Sequence, residues 1–212
     1  DSLTDATLST REVLYTQGGV LGNLVPPAAR YICQGGGRVW LGGLLNPRQI
    51  HLSKLIVQVE PVQFPDDDSF RIEIPEDVTG IVWGDGALIV FCQSSIYLVH
   101  GDGPNDQGIG SFVTPQQLPS DVGCIEHHSI VEYQDGWMFQ SKRGIYLLPR
   151  GFGPPVFTGA EIQDTLLAYP TVRCAAVISN PGGSSNGETT VRYVVADANG
   201  NTRVPVWDTA LK

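Results

Sequence analysis

Charged residues are scarce in this 212-residue chain, at 17%, and the basic ones are outnumbered: 13 Lys and Arg against 22 Asp and Glu, a formal charge of −9. A free duplex-binding surface needs clustered Lys and Arg to displace counterions, so this balance argues against one. An acidic surface serves solubility, and it also suits a wall that repels nucleic acid passing along it. Long apolar runs are missing too. None approaches the ~20 residues that span a bilayer, and no signal peptide is expected. The sole Met is Met138 and the chain begins at Asp1, which is expected of a segment of a longer polypeptide or of a processed product. The four cysteines, Cys33, Cys92, Cys124 and Cys174, are widely spaced with no C-x-x-C. That pattern disfavours a disulfide framework or a zinc site and fits a reducing compartment.

Catalytic motifs are equally sparse. There is no G-x-S-x-G elbow, Walker A loop, H-E-x-x-H or strand-to-helix G-x-G-x-x-G. Gly101-Asp102-Gly103 is followed by Pro104 in a turn and is no phosphate cradle. No two carboxylates stand out as a glycosidase pair. The chain therefore reads as a non-enzyme, with no catalytic, cofactor-binding or metal residues and no cofactor.

Turn formers and strand formers are what it does have: 25 Gly, 15 Pro and 42% hydrophobic residues spread along the chain. The stretch DVTGIVWGDGALIVFCQSSIYLVH, residues 77–100, reads as an antiparallel meander. Its apolar runs Thr79–Trp83, Leu88–Cys92 and Ile96–Val99 are separated by Gly84-Asp85-Gly86 and Gln93-Ser94-Ser95. The same order recurs downstream in EHHSIVEYQDGWMFQSKRGIYLLPRG and upstream in ARYICQGGGRVWLGGLLNPRQIHLSKL. Gly84-Asp85-Gly86 and Gln134-Asp135-Gly136 read as one turn used twice, and Tyr97 and Tyr146 as one packing position used twice. Second-strand anchors Val39, Leu88, Trp137 and Val191 lie 49, 49 and 54 residues apart. A period near 50 with three or four strands per period predicts an all-β fold with little helix. Its architecture would be a β-propeller or partial propeller of about four antiparallel blades. One small twisted sheet cannot bury both its faces, and neighbouring blades cover each other.

The expected organisation is a lead-in over 1–28, including the last strand of a preceding unit, and then blade units at about 29–76, 77–126, 127–170 and 171–212. Within them, SFVTP at 111–115 is expected to hold at most one strand, and Glu161–Ala168 is the one plausible helical turn. Pro205 in RVPVWD predicts an edge position, since proline cannot donate to a ladder.

Several features invite functional readings, each with a plainer competitor. Asp66-Asp67-Asp68 and Asp197-Ala198-Asn199-Gly200-Asn201 resemble calcium loops. The first lacks EF-hand spacing and reads as a solvated loop, the second as a hairpin tip. His127-His128 is the sole histidine cluster, and adjacent side chains on a strand face opposite ways, so the pair is not expected to chelate. Trp40, Trp83, Trp137 and Trp207, with Tyr97 and Tyr146, recur unit by unit, which favours packing over carbohydrate stacking. The loops at 101–110 and 182–188 are long enough to contact a glycan or receptor.

Taken together, YTQGGVLGNLVPPAARYIC, VWLGGLLNPRQIHLSKL, VTGIVWGDGALIVFCQSSIYLV and HSIVEYQDGWMFQSKRGIYLL resemble the β-propeller virion proteins of short-tailed phages, of the tail hub or nozzle type. The resemblance covers about residues 13–160 and rests on packing and turn motifs. It implies a structural component of the virion tail, made in the host cytoplasm, that helps form the DNA-ejection conduit. The implied partners are copies of itself in a ring and other tail proteins such as an adaptor, fibres or spikes. DNA would be passing cargo only, and no membrane span is expected. The competing expectation is a glycan- or receptor-binding, adhesin-like propeller.

Overall fold

The computed structural model describes residues 18–179 and 189–208. The proposed strand within 11–28 falls partly, and the turn at 182–188 wholly, outside the described residues. The described chain forms four four-stranded antiparallel sheets. The first comprises β1 (Tyr31–Gly35), β2 (Arg38–Gly42), β3 (Gln49–Leu52) and β4 (Arg71–Glu73). The second comprises β5 (Val78–Gly84), β6 (Ala87–Cys92), β7 (Ile96–Val99) and β8 (Gln116–Gln117). The third comprises β9 (Val131–Tyr133), β10 (Gly136–Ser141), β11 (Gly144–Pro149) and β12 (Val156–Phe157). In the fourth, β13 (Thr171–Ser179) pairs β14 (Thr189–Ala196), which pairs both β15 (Thr202–Arg203) and β16 (Val206–Asp208). Pro205 separates the last two, so they line β14 as one interrupted edge strand.

Among the described residues the α-helix is α1 (Gln163–Ala168), preceded by a 3-10 turn at Ala160–Ile162. Further 3-10 turns at Asp68–Phe70 and His127–Ser129 were not anticipated. The latter corrects the strand placement of His127-His128. The last strand of the second sheet falls on Gln116–Gln117, just beyond SFVTP.

The hairpin turns explain why the first strands end where they do. Gly36 and Gly37 (φ 59° and 69°) form the two-residue turn between β1 and β2, and Asp85 and Gly86 (φ 48° and 79°) that between β5 and β6. Positive φ at both centres matches the right-handed twist of the flanking strands. The third hairpin differs. Tyr133 pairs Gly136 across Gln134 and Asp135, neither of which has positive φ, while Gly136 itself lies at 148°. Gly84-Asp85-Gly86 and Gln134-Asp135-Gly136 are thus different turns of equal length, which corrects the equivalence expected from their spelling.

The register nevertheless repeats. Counting from the first pair after each turn, Val39, Leu88 and Trp137 hold one position, and Trp40, Ile89 and Met138 the next. Tyr97 pairs Val90 as Tyr146 pairs Phe139, which are likewise equivalent positions.

Alternation across each strand assigns these positions to opposite faces. Leu88, Val90 and Tyr97 face the first sheet in a core with Trp40, Ile50, Leu52 and Phe70. Ile89, Phe91 and Leu98 face the third sheet, against Trp137, Phe139 and Leu148. Met138, Ile145 and Leu147 face the fourth, against Val191, Tyr193 and Val195. The second and third sheets are therefore buried on both sides. β6 is buried at every residue. Each fully buried large apolar side chain contributes about 1.5–3 kcal/mol to holding the stack together.

Candidate functional site

Three constructions join the sheets, and each draws on residues distant in sequence. The first is a tryptophan laid on the end of a neighbouring hairpin. A Cβ on Gly35, the last residue of β1, would lie 1.8 Å from the Trp83 ring, and one on Gly84, the last residue of β5, 1.9 Å from the Trp137 ring. Glycine is required at both places because the indole occupies the side-chain volume. In the third unit the matching residue is Tyr133, and Trp207 of β16 meets it edge-on with centroids 5.6 Å apart. Trp83 also stacks on Trp40 (5.8 Å), and Trp137 on Phe152 (6.1 Å) with the Arg150 guanidinium 5.0 Å from its centroid. The same Arg150 ties the third unit to the second, donating to Asp85 and Glu132 at 2.8 Å and to the Gln134 carbonyl at 3.0 Å.

The second construction is a buried cation. Arg38, 1% exposed at the start of β2, donates from Nη1 to the Ser53 carbonyl at 2.8 Å and from Nη2 to the carbonyls of Asp102 and Pro104. Its guanidinium lies beside the Phe70 and Phe112 rings. Burial lowers its pKa, partly offset by Asp106. The loop at 101–110, a candidate recognition loop by length, is thus fastened to the first sheet. Asn105 Oδ1 accepts from the backbone of Gln107 and Ile109, and Leu21 N donates to the Asp106 carbonyl.

The third lies where the first strands of successive sheets converge. β1 runs beside β5, and the 3-10 turn at His127–Ser129 packs on β5 and β13. Gly80 gives the space: a Cβ there would be 2.6 Å from Ile130 Cδ1. Over it the Tyr31 and His127 rings meet at 4.7 Å. Burial, reinforced by His128 and opposed by Glu126, pushes the His127 pKa down. Burial pushes Glu126 up, but hydrogen bonds from His128 outweigh it and hold the carboxyl below its ordinary value. Cys124 is raised to about 11 by burial and remains a thiol. Ser129 Oγ donates to the Glu126 carbonyl at 2.6 Å and accepts from Gln140 N at 2.9 Å. Its proton and one of its two lone pairs are engaged in holding the turn. A Cys, a Ser and a His meet here, yet the thiol is protonated and the hydroxyl is engaged with backbone, so the group works as a knot between units.

The other features weighed from sequence resolve as follows. Asp66 and Asp68 ion-pair with Arg71, and Asp67 caps the following 3-10 turn through Ser69 N at 2.9 Å. Asp197 accepts from Asn199 N and Asn201 N within the β14–β15 turn, a hairpin tip as expected. Trp40 and Trp137 are buried in sheet junctions. All four cysteines are free. Among the described residues no cluster of His, Cys, Asp and Glu is arranged to hold a metal ion, and no helix is long and apolar enough to cross a membrane. Arg38, Tyr31 and the glycine seats were not singled out from sequence. The G-G-G and G-D-G turns were visible, but not the rings that lie against them.

No family model matches the chain, and no curated protein matches it. Among solved structures it is similar to Sqt1 of Saccharomyces cerevisiae, at 14% identity and a TM-score of 0.42. That match covers 86% of this chain and 50% of Sqt1, so the chain spans about half that structure's length.

Proposed function

We propose that the chain is a run of β-propeller blades acting as a structural scaffold, a component of a phage tail hub or nozzle that helps form the DNA-ejection conduit. It works through contacts with copies of itself and with other tail proteins, and DNA passes it without being bound. The observation that carries the scaffold reading is the repeated register. The same strand positions in successive sheets are assigned to sheet-to-sheet packing, and Tyr97 and Tyr146, which hold one register position in the second and third sheets, both lie in those junctions. The motif resemblance over residues 13–160 supplies the tail assignment, and the formal charge of −9 suits a wall along which DNA slides.

The test is quantitative mass spectrometry of purified virions. The proposal requires the chain's peptides in fixed stoichiometry with tail proteins. Their absence from particles overturns it.

A further inference from the structure

One titratable ring sits at a joint between sheets with nothing to receive a second proton. His127 is seated on the backbone of β5, where a Cβ on Gly80 would lie 3.2 Å from its Nδ1. That nitrogen is buried and has no hydrogen-bond partner among the described residues. The neutral ring is therefore assigned its proton at Nε2, and a second proton, at Nδ1, would be a buried donor without an acceptor. The described elements around the ring supply none. Tyr31 of β1 meets its face at 4.7 Å, with Arg30 one residue before it. β5 and β10 carry no ionisable side chain, and the ionisable residues of β13, Arg173 and Cys174, are both exposed. On the segment of the turn itself, the Cys124 thiol donates to the Glu126 carbonyl at 3.2 Å, and the Glu126 carboxylate accepts from His128 at 2.7 Å.

We infer that the turn at His127–Ser129 is a proton-operated latch: a second proton on His127 lifts the turn off β5 and opens this joint while the sheets themselves stay folded. The Tyr31 ring attracts an imidazolium but gives Nδ1 no acceptor, so the cation is satisfied by water, outside the seat. Burial holds the closed ring's affinity for the proton below that of a free histidine. The open form therefore gains as pH falls below the free value of about 6.5. The segment is pinned on either side of the ring. Cys124 is tied to the second sheet, its N donating to the Cys92 carbonyl at 2.9 Å and its carbonyl accepting from Thr79 Oγ1 at 2.6 Å. Ser129 Oγ accepts from Gln140 N of the third sheet at 2.9 Å. Between those pins the turn meets β5 through the packing of His127 and Ile130 over Gly80. Lifting it frees the Gln140 amide and loosens the point at which the third unit touches the first and second. The latch is independent of what the stack lines.

Hydrogen–deuterium exchange of the full chain at pH 7.5 and 5 tests it, read on fragments holding residues 126–131 and Gln140, with the intrinsic pH dependence of exchange divided out. Opening at these amides is expected to rise by up to about 30-fold between the two pH values, the ratio that a free value near 6.5 sets. At pH 5 they are expected to open more readily than β6, which is buried at every residue. His127→Phe and His127→Gln, each checked for folding by circular dichroism at pH 7.5, are expected to remove the rise, and His51→Gln to keep it. Exchange that does not change with pH in the unsubstituted chain overturns the inference. So does a rise that persists in a folded His127 variant or is lost in His51→Gln. Opening at pH 5 no greater than that of β6 also overturns it, since the turn then opens only when the whole fold does.

Discussion

The Cβ that Gly84 lacks would lie 1.9 Å from the ring of Trp137, 53 residues further along the chain. The hairpin end of the second sheet is therefore shaped by a side chain of the third, and Gly35 stands in the same relation to Trp83. Gly84→Ala is expected to destabilise the fold by about 1–3 kcal/mol through overpacking, because the indole is confined between sheets. Gly86 has open space around it and φ 79°, so Gly86→Asn, a residue that tolerates this conformation, is expected to cost less. Urea unfolding of the two variants side by side checks the order.

Arg38 joins the first sheet to the loop at 101–110 through carbonyls alone. Arg38→Met keeps the apolar stem and removes the donors, leaving the carbonyls of Ser53, Asp102 and Pro104 without them. The expected loss is about 1–3 kcal/mol, accompanied by faster amide exchange at Ile109, whose own anchor Asn105 sits in the released loop. Hydrogen–deuterium exchange read by mass spectrometry distinguishes release of the loop from general loosening.

Stability is expected to fall on mild acidification. His51 and His127 both have pKa values lowered chiefly by burial. A folded value below the unfolded ~6.5 means that the unfolded chain binds the extra proton first, so stability is full above that pH and is lost as pH drops toward the folded values. The lowered carboxyls of Asp67 and Asp85 act in the same direction but further down, below about pH 4. Unfolding midpoints at about pH 7.5 and 5 should therefore differ, and the double variant His51→Gln, His127→Phe should narrow the difference.

Cysteine labelling should be strongly site-selective. Burial raises the thiols of Cys33 and Cys92 to about 12 and Cys124 to about 11, whereas Cys174 is exposed on β13. The thiolate is the nucleophile. Iodoacetamide is expected to modify Cys174 in the native protein and the other three only after denaturation, as peptide mapping would record.

Much of this architecture was legible along the chain because strands and two-residue turns are written locally. Alternating apolar runs located β5, β6 and β7 to within a residue or two, and Gly36-Gly37 and Asp85-Gly86 announced their turns. Spelling misled at Gln134-Asp135-Gly136, where a shared Asp-Gly sits one place out of phase with the turn it was matched to. His127-His128 was misread because a strand pattern surrounds a 3-10 turn that Glu126 caps through His128 N. The joints between units were not legible. A lone Arg38 gives no sign of the carbonyls it will meet 64 and 66 residues away, and Tyr31 none of His127.

The proposal that these sheets are blades of a conduit wall is tested by a cryo-electron-microscopy map of the assembled phage tail. The expected result is density for the four-sheet stack encircling the channel axis in repeated copies. Density for the stack at a peripheral tip, with its loops directed at a receptor, or a tail complete without it, would contradict the claim.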